Sequence, residues 1–204
     1  MQFEKGYIYH IYNQGNNRQK VFFNRENYLY FLHKTKKHIT PYADILAWCL
    51  MPNHFHLMVL VNEVDLPVIS LGVSLRHAET IHSNKTQTFN HSIGIMLMSY
   101  TKAINKRQKR SGKLFREQTK AECINCPKGI APSFYNTKTG TQINISNPER
   151  EYPQVCFNYI HQNPVKAKLV KNTADWEFSS AIDYAGLRDG KLINKTVAKE
   201  YILF

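Results

Sequence analysis

The run from Trp48 to Val61, Trp-Cys-Leu-Met-Pro-Asn-His-Phe-His-Leu-Met-Val-Leu-Val, constrains this chain more than any other stretch. It is apolar on both sides of a Met51-Pro52-Asn53 turn signal. It therefore reads as a β-hairpin, with one strand over Tyr42 to Leu50 and a returning strand over His54 to Val61. In the returning strand the two-residue period puts His54, His56 and Met58 on one face and Phe55, Leu57 and Val59 on the other. Two neutral imidazoles on one face of an otherwise hydrophobic strand make a natural divalent-metal site. The same pair also fits two partly exposed, hydrogen-bonded histidines, and the strand by itself leaves both readings open.

The rest of the chain supplies a core for such a hairpin. It has 204 residues, and 43% hydrophobic content with 12 Tyr and 11 Phe suffices for one sizeable domain spanning 1–204. The formal charge of +12 gives the folded surface a positive field. Such a field attracts nucleic acid first and an anionic membrane surface second. No stretch approaches the roughly 18 apolar residues of a membrane span. The start, Met1-Gln2-Phe3-Glu4-Lys5, lacks the apolar centre of a secretion signal, so a soluble cytoplasmic protein is expected. Cys49, Cys123, Cys126 and Cys156 fit a reducing compartment and are expected as free thiols. Cys123-x-x-Cys126 has zinc or redox spacing but no second pair to complete four ligands.

Before the hairpin, Tyr7 to Asn13 is β-branched and aromatic and reads as a strand, and polar residues Gln14 to Asn24 form a loop. Asn24 is the expected N-cap of a helix from Arg25 to about His38, with Tyr28, Phe31, Leu32 and Thr35 on one face. After the hairpin, 62–92 reads as a variable, polar stretch with a short helix over 71–83. Ser92 is the expected cap of an amphipathic helix to about Arg110, where Ile93, Met96, Leu97, Tyr100 and Ile104 recur at helical spacing. The basic residues on its other side and just beyond its end, Lys102, Lys106, Arg107, Lys109, Arg110, Lys113 and Arg116, form the strongest nucleic-acid-binding candidate, although a solvated helix face explains the same charges. Lys113 to Ala121 reads as a fourth strand. The resulting order, strand, helix, two strands, helix, strand, predicts an α+β fold with the split βαβ core of ferredoxin-like and RRM-like proteins around an antiparallel sheet.

Residues 122–148 read as an insertion rich in Pro, Gly and Ser. A further helix is expected from about Pro148 to Gln162, stopped by Pro164, with Tyr152, Val155, Cys156 and Tyr159 sharing a face. Residues 164–204 form a C-terminal extension. In it Asp175-Trp176-Glu177-Phe178-Ser179-Ser180 is a compact turn with structural aromatics.

Met51-Pro52-Asn53-His54-Phe55-His56, taken with Tyr159-Ile160-His161-Gln162-Asn163-Pro164-Val165-Lys166-Ala167 and the Trp176 turn, resembles the single-tyrosine HUH transposases, and more closely the REP-associated tyrosine transposases. The resemblance runs from about Tyr7 to Val61 and from about Ile93 to Gly186. It implies a metal-dependent strand transferase on single-stranded, hairpin-containing DNA. It also implies His54 and His56 as metal ligands, Asn163 as the third ligand and Tyr159 as the nucleophile that forms a 5′-phosphotyrosine link. Mg²⁺ or Mn²⁺ is the implied metal. Both a monomer and a homodimer with a shared site fit the resemblance. An exposed Tyr7, Tyr9 or Tyr12 would suit base stacking. Two other readings use the same residues differently. A non-catalytic single-stranded DNA- or RNA-binding module needs aromatics on an open sheet, and a zinc hydrolase needs another His, Asp or Glu beside His54 and His56.

Overall fold

The computed structural model describes residues 1–68, 85–126, 134–137, 140–143 and 148–204; from 134 to 150 it describes the backbone alone. The helix expected over 71–83 and about half of the insertion expected over 122–148 lie outside these residues. Four strands, β1 (Ile8–Gln14), β2 (Ala43–Met51), β3 (His54–Val61) and β6 (Lys120–Cys123), form one antiparallel sheet of order β2-β3-β1-β6. Two helices, α1 (Arg25–Ile39) and α2 (Phe89–Arg107), connect them, so β3 is inserted between β1 and β2 as in a split βαβ unit. A short ribbon, β4 (Asp65–Pro67) with β5 (Thr86–Thr88), follows the hairpin, and β7 (Phe134–Thr137) pairs with β8 (Gly140–Ile143).

The hairpin forms as its sequence predicts. Met51 pairs with His54 across the Pro52-Asn53 turn, and the register continues through Cys49 opposite His56. Against β1 the register sets Tyr12 opposite His56 and His10 opposite Met58. One sheet face therefore presents Ile11, Trp48, Leu50, Phe55, Leu57 and Val59, which pack with Phe31 of α1 and with Met96 and Tyr100 of α2. Its opposite face presents Ile8, Cys49, Met51 and Met58. These pack with Cys156, Phe157 and Ile160 of α3 (Pro148–Lys166), and Ala198 of α5 (Lys195–Ala198) joins the same cluster.

Several boundaries depart from the sequence reading for identifiable reasons. Asn24 caps α1 as expected, accepting from the Asn27 N–H at 3.1 Å. Thr88, rather than Ser92, caps α2 by accepting from His91, and Ser92 is instead buried inside the helix with its hydroxyl donating to the His38 carbonyl. The fourth strand does not begin at Lys113. Leu114 and Phe115 are buried, but only Phe115 makes a bridge to Gly15, and sheet pairing begins at Lys120 and runs on through Cys123.

Pro164 does not stop α3, which continues to Lys166. Asn163 accepts from the Ala167 N–H at 2.9 Å, so the turn closes around a proline that lacks only its own donor. Cys123 and Cys126 are disulfide-bonded rather than free, because the turn after β6 brings their Cα atoms to 5.8 Å. Cys49 and Cys156 are the free, buried cysteines.

The expected C-terminal turn sews the edge of β2. The Leu50 and Ser180 N–H groups donate to the Phe178 and Trp48 carbonyls, and Phe178 stacks on Tyr28 with ring centroids 3.8 Å apart. Beyond it, α4 (Ala181–Tyr184) carries buried Asp183, whose two carboxylate oxygens each accept from Arg188 at 2.7 Å. Among the described residues no helix is long and apolar enough to cross a membrane.

Candidate active site

The alternation that buries Phe55 turns His54 and His56 toward α3. The helix delivers Tyr159 to the same place: its ring centroid lies 5.4 Å from that of His56 and 6.0 Å from that of His10. His54 and His56 are edge to face at 4.9 Å. One chain thus brings its own tyrosine to its own histidine pair. They open onto a cleft of about 370 Å³ that is also lined by Tyr12, Asn13, Gln14, Arg116, Gln118 and Lys120.

Tyr159 does not belong to an apolar stripe as its spacing suggested. The buried side of α3 is Cys156, Phe157, Ile160 and His161, whereas Tyr159 is 41% exposed at the cleft edge. Burial raises its pKa, partly offset by the Asn163 side chain, so at neutral pH it is a phenol. Asn163 follows one turn later. Its amide donates to the Tyr159 carbonyl at 2.8 Å, and its side chain also bears on His54, whose pKa it raises against the dominant lowering by burial. Lys166, a further turn along, holds its ammonium 5.5 Å from the centre of the Tyr159 ring. The continuation of α3 through Pro164 is what lines up Tyr159, Asn163 and Lys166.

His161, between these residues in sequence, points the other way. Its Nε2 is 2.8 Å from the buried Ser180 hydroxyl, which also accepts from the Trp48 N–H at 2.9 Å. It anchors the helix to the sheet edge. Desolvation depresses its pKa to about 3 despite nearby Asp183.

The histidine pair has an ordered surround. His54 Nδ1 meets the Asn53 amide oxygen at 2.6 Å, and His56 Nδ1 meets His10 Nε2 at 2.9 Å. Burial pushes His10 down to about 4 and His56 well below its ordinary value, so both are neutral near pH 7. His56 Nε2 is buried with no hydrogen-bond partner among the described residues. An unpartnered imidazole nitrogen beside a second histidine and an amide fits a divalent ion, which needs a deprotonated ring nitrogen. Among the described residues no three His, Cys, Asp or Glu side chains gather as a metal site, so an ion here would draw on the two histidines and Asn163.

The basic residues expected to bind nucleic acid divide. α2 ends at Arg107, so Lys109, Arg110, Lys113 and Arg116 lie on the connector after it. Arg116 reaches the cleft, and with Lys102 and Lys113 it lines an adjoining groove of about 530 Å³ between α2 and residues 112–119. Arg110 instead donates to Gln19 at 2.8 Å, and Lys113 pairs with Glu117 at 3.2 Å. Lys106, Arg107 and Lys109 are exposed and line neither hollow.

Of the tyrosines expected to stack on bases, Tyr9 is buried with its hydroxyl accepting from the Glu4 N–H, and Tyr7 packs against the core. Tyr12 does line the cleft, and its hydroxyl donates to Glu122 at 2.5 Å. The sequence reading missed His10, Lys120 and Lys166. The period of β1, which sets His10 beside Tyr12 on one face, was the signal for the first.

The whole chain can be set against known proteins. A REP-associated tyrosine transposase, solved bound to a REP hairpin, superposes with a TM-score of 0.55 over 95% of this chain and 94% of that one. The likeness is one of fold. Sequence identity is 17%, and neither a protein-family model nor a curated protein matches the sequence. The α+β architecture expected from the sequence is the one observed, and the similarity falls on the family named from its motifs.

Proposed function

We propose that this chain is a metal-dependent DNA strand transferase that cleaves and rejoins single-stranded, hairpin-containing DNA through a 5′-phosphotyrosine intermediate. The observation that carries the reading is that Tyr159 and the His56 Nε2, unpartnered among the described residues, meet at one basic cleft, with Asn163 one helical turn beyond Tyr159. The fold likeness to a transposase solved with a hairpin supports it.

The Tyr159 hydroxyl oxygen attacks the scissile phosphorus, the bond to the 3′ oxygen breaks, and the phosphate remains on the tyrosine through its 5′ side. The phenolic proton leaves to solvent, and the departing oxygen takes one up as a free 3′-OH. Attack by that hydroxyl, or by one on another strand, reverses the step and rejoins DNA. His54, His56 and Asn163 would hold Mg²⁺ or Mn²⁺, which when bound supplies Lewis-acid polarisation of the phosphate. Lys166, Arg116 and Lys120 place positive charge around the phosphate backbone. This reading places the protein with cytoplasmic DNA and needs one chain per site.

A base-binding module of the RRM kind is disfavoured, because α3 and the C-terminal segment cover the sheet face it would use.

The test is incubation with end-labelled hairpin oligonucleotides and Mn²⁺ followed by denaturing electrophoresis. A covalent adduct is expected, and it should vanish in Tyr159→Phe, in His56→Ala and with EDTA. Cleavage that persists in Tyr159→Phe overturns the nucleophile assignment.

A further inference from the structure

We propose that His10 is a positioning residue for the metal ligand His56: it accepts the Nδ1–H of His56 and so locks the tautomer whose Nε2 lone pair faces the cleft. The inference rests on the functional reading only in calling His56 a ligand.

His10 and His56 are both buried, and a neutral imidazole carries one N–H and one lone pair. The 2.9 Å contact between His56 Nδ1 and His10 Nε2 therefore holds a single proton, which belongs to one ring or the other. If His10 donates, His56 must carry its own proton on Nε2, and that N–H is buried with no acceptor among the described residues. If His56 donates, Nε2 is a bare lone pair, the form that binds a cation. His10 then carries its proton on Nδ1, which is not among the buried atoms left without a partner.

His54 supplies the pattern to match. Its Nδ1 lies 2.6 Å from an amide oxygen, Asn53 Oδ1, which can only accept, and the Asn53 NH₂ faces the Arg18 carbonyl at 3.4 Å, fixing that orientation. His54 is thereby held as the Nδ1–H tautomer, with Nε2 as its lone-pair nitrogen. The two ligands then share one arrangement, each with Nδ1 spent on an acceptor behind it. For His54 the acceptor comes from the hairpin turn. For His56 it comes from β1, diagonally across the pairing that sets Tyr12 opposite His56 and His10 opposite Met58. Acceptors in this position orient the ring and raise the basicity of the ligating nitrogen.

The direct test is long-range ¹H–¹⁵N correlation of the metal-free protein, which reports the tautomer of each histidine. His56 protonated on Nδ1 and bare on Nε2 is the expected result, and His56 protonated on Nε2 overturns the proposal. The second measurement is Mn²⁺ affinity by calorimetry with thermal unfolding recorded alongside. His10→Phe is expected to weaken Mn²⁺ binding by about 10- to 100-fold. In His10→Gln the amide oxygen can accept the same N–H and is expected to recover most of the loss. Unchanged Mn²⁺ affinity in folded His10→Phe overturns the role. None of these readouts involves DNA, so absence of a covalent adduct would sink the strand-transferase reading and leave the tautomer result standing.

Discussion

On the side of the sheet that meets α1 and α2, the inward residues of β3 are Phe55, Leu57 and Val59, all fully buried among aromatic and aliphatic partners. On the side that meets α3, the same strand passes from half-buried His54 through His56 to fully buried Met58. The first face is closed along its whole length. The second is closed only where Met58 meets Ile160 and Cys156, and opens into the cleft where the histidines begin. A one-residue step along the strand thus separates a residue that holds the fold from one that the strand-transferase reading makes a metal ligand.

The sharpest way to break this comparison is to truncate adjacent residues. His56→Ala should abolish the adduct and Mn²⁺ binding while leaving cooperative unfolding in place. Phe55→Ala should cost about 3–5 kcal/mol in chemical denaturation, since its ring packs on Phe31 and Phe115 and leaves a cavity behind. A similar stability loss in both variants would show that the cleft face also carries the fold.

A smaller effect separates the two ends of the α3 side. His161 refuses in the folded state a proton that the unfolded chain takes up below about pH 6.5. Unfolding therefore binds a proton between there and about pH 3, and stability falls as pH drops through that window. One such group contributes a slope of about 1.4 kcal/mol per pH unit. His161→Gln should flatten the measured slope by that amount, whatever its effect on stability at pH 7. An unchanged slope would mean that His161 takes up its proton while folded.

The smallest effect lies at the cleft rim. Arg116→Ala should weaken oligonucleotide binding alike for all sequences and reduce the slope of log affinity against log salt by about 1. Lys106→Ala, which lines neither hollow, should leave the slope nearly unchanged.

Features of the molecule were readable in the sequence where local rules suffice. The hairpin, the faces of β3 and the Asn24 cap depend on period and turn chemistry, so Trp48 to Val61 announced them. Tyr159, Asn163 and the histidines came from motifs, since nothing in the α3 pattern separates Tyr159 from the apolar residues around it. The β6 strand was misplaced because Lys113 to Thr119 shows no alternation, and its start is set by pairing with Tyr12. His10 was legible as a face-mate of Tyr12, but its meeting with His56 depends on the β1–β3 register. The segregation of Arg116 from Lys106 likewise depends on where α2 ends.

The continuation of α3 through Pro164 carries a last consequence. The histidines sit on a hairpin made early in the chain, while the tyrosine, the amide and the lysine ride on one helix that closes over the sheet only after the intervening segments are in place. Under the strand-transferase reading, a polypeptide that has finished the sheet but not docked α3 would hold the two histidines without the third metal ligand or the nucleophile, and so would not break DNA. Scission is then withheld until synthesis and folding are complete, so partly made copies of such a DNA-cutting protein would be harmless to the cell that makes them.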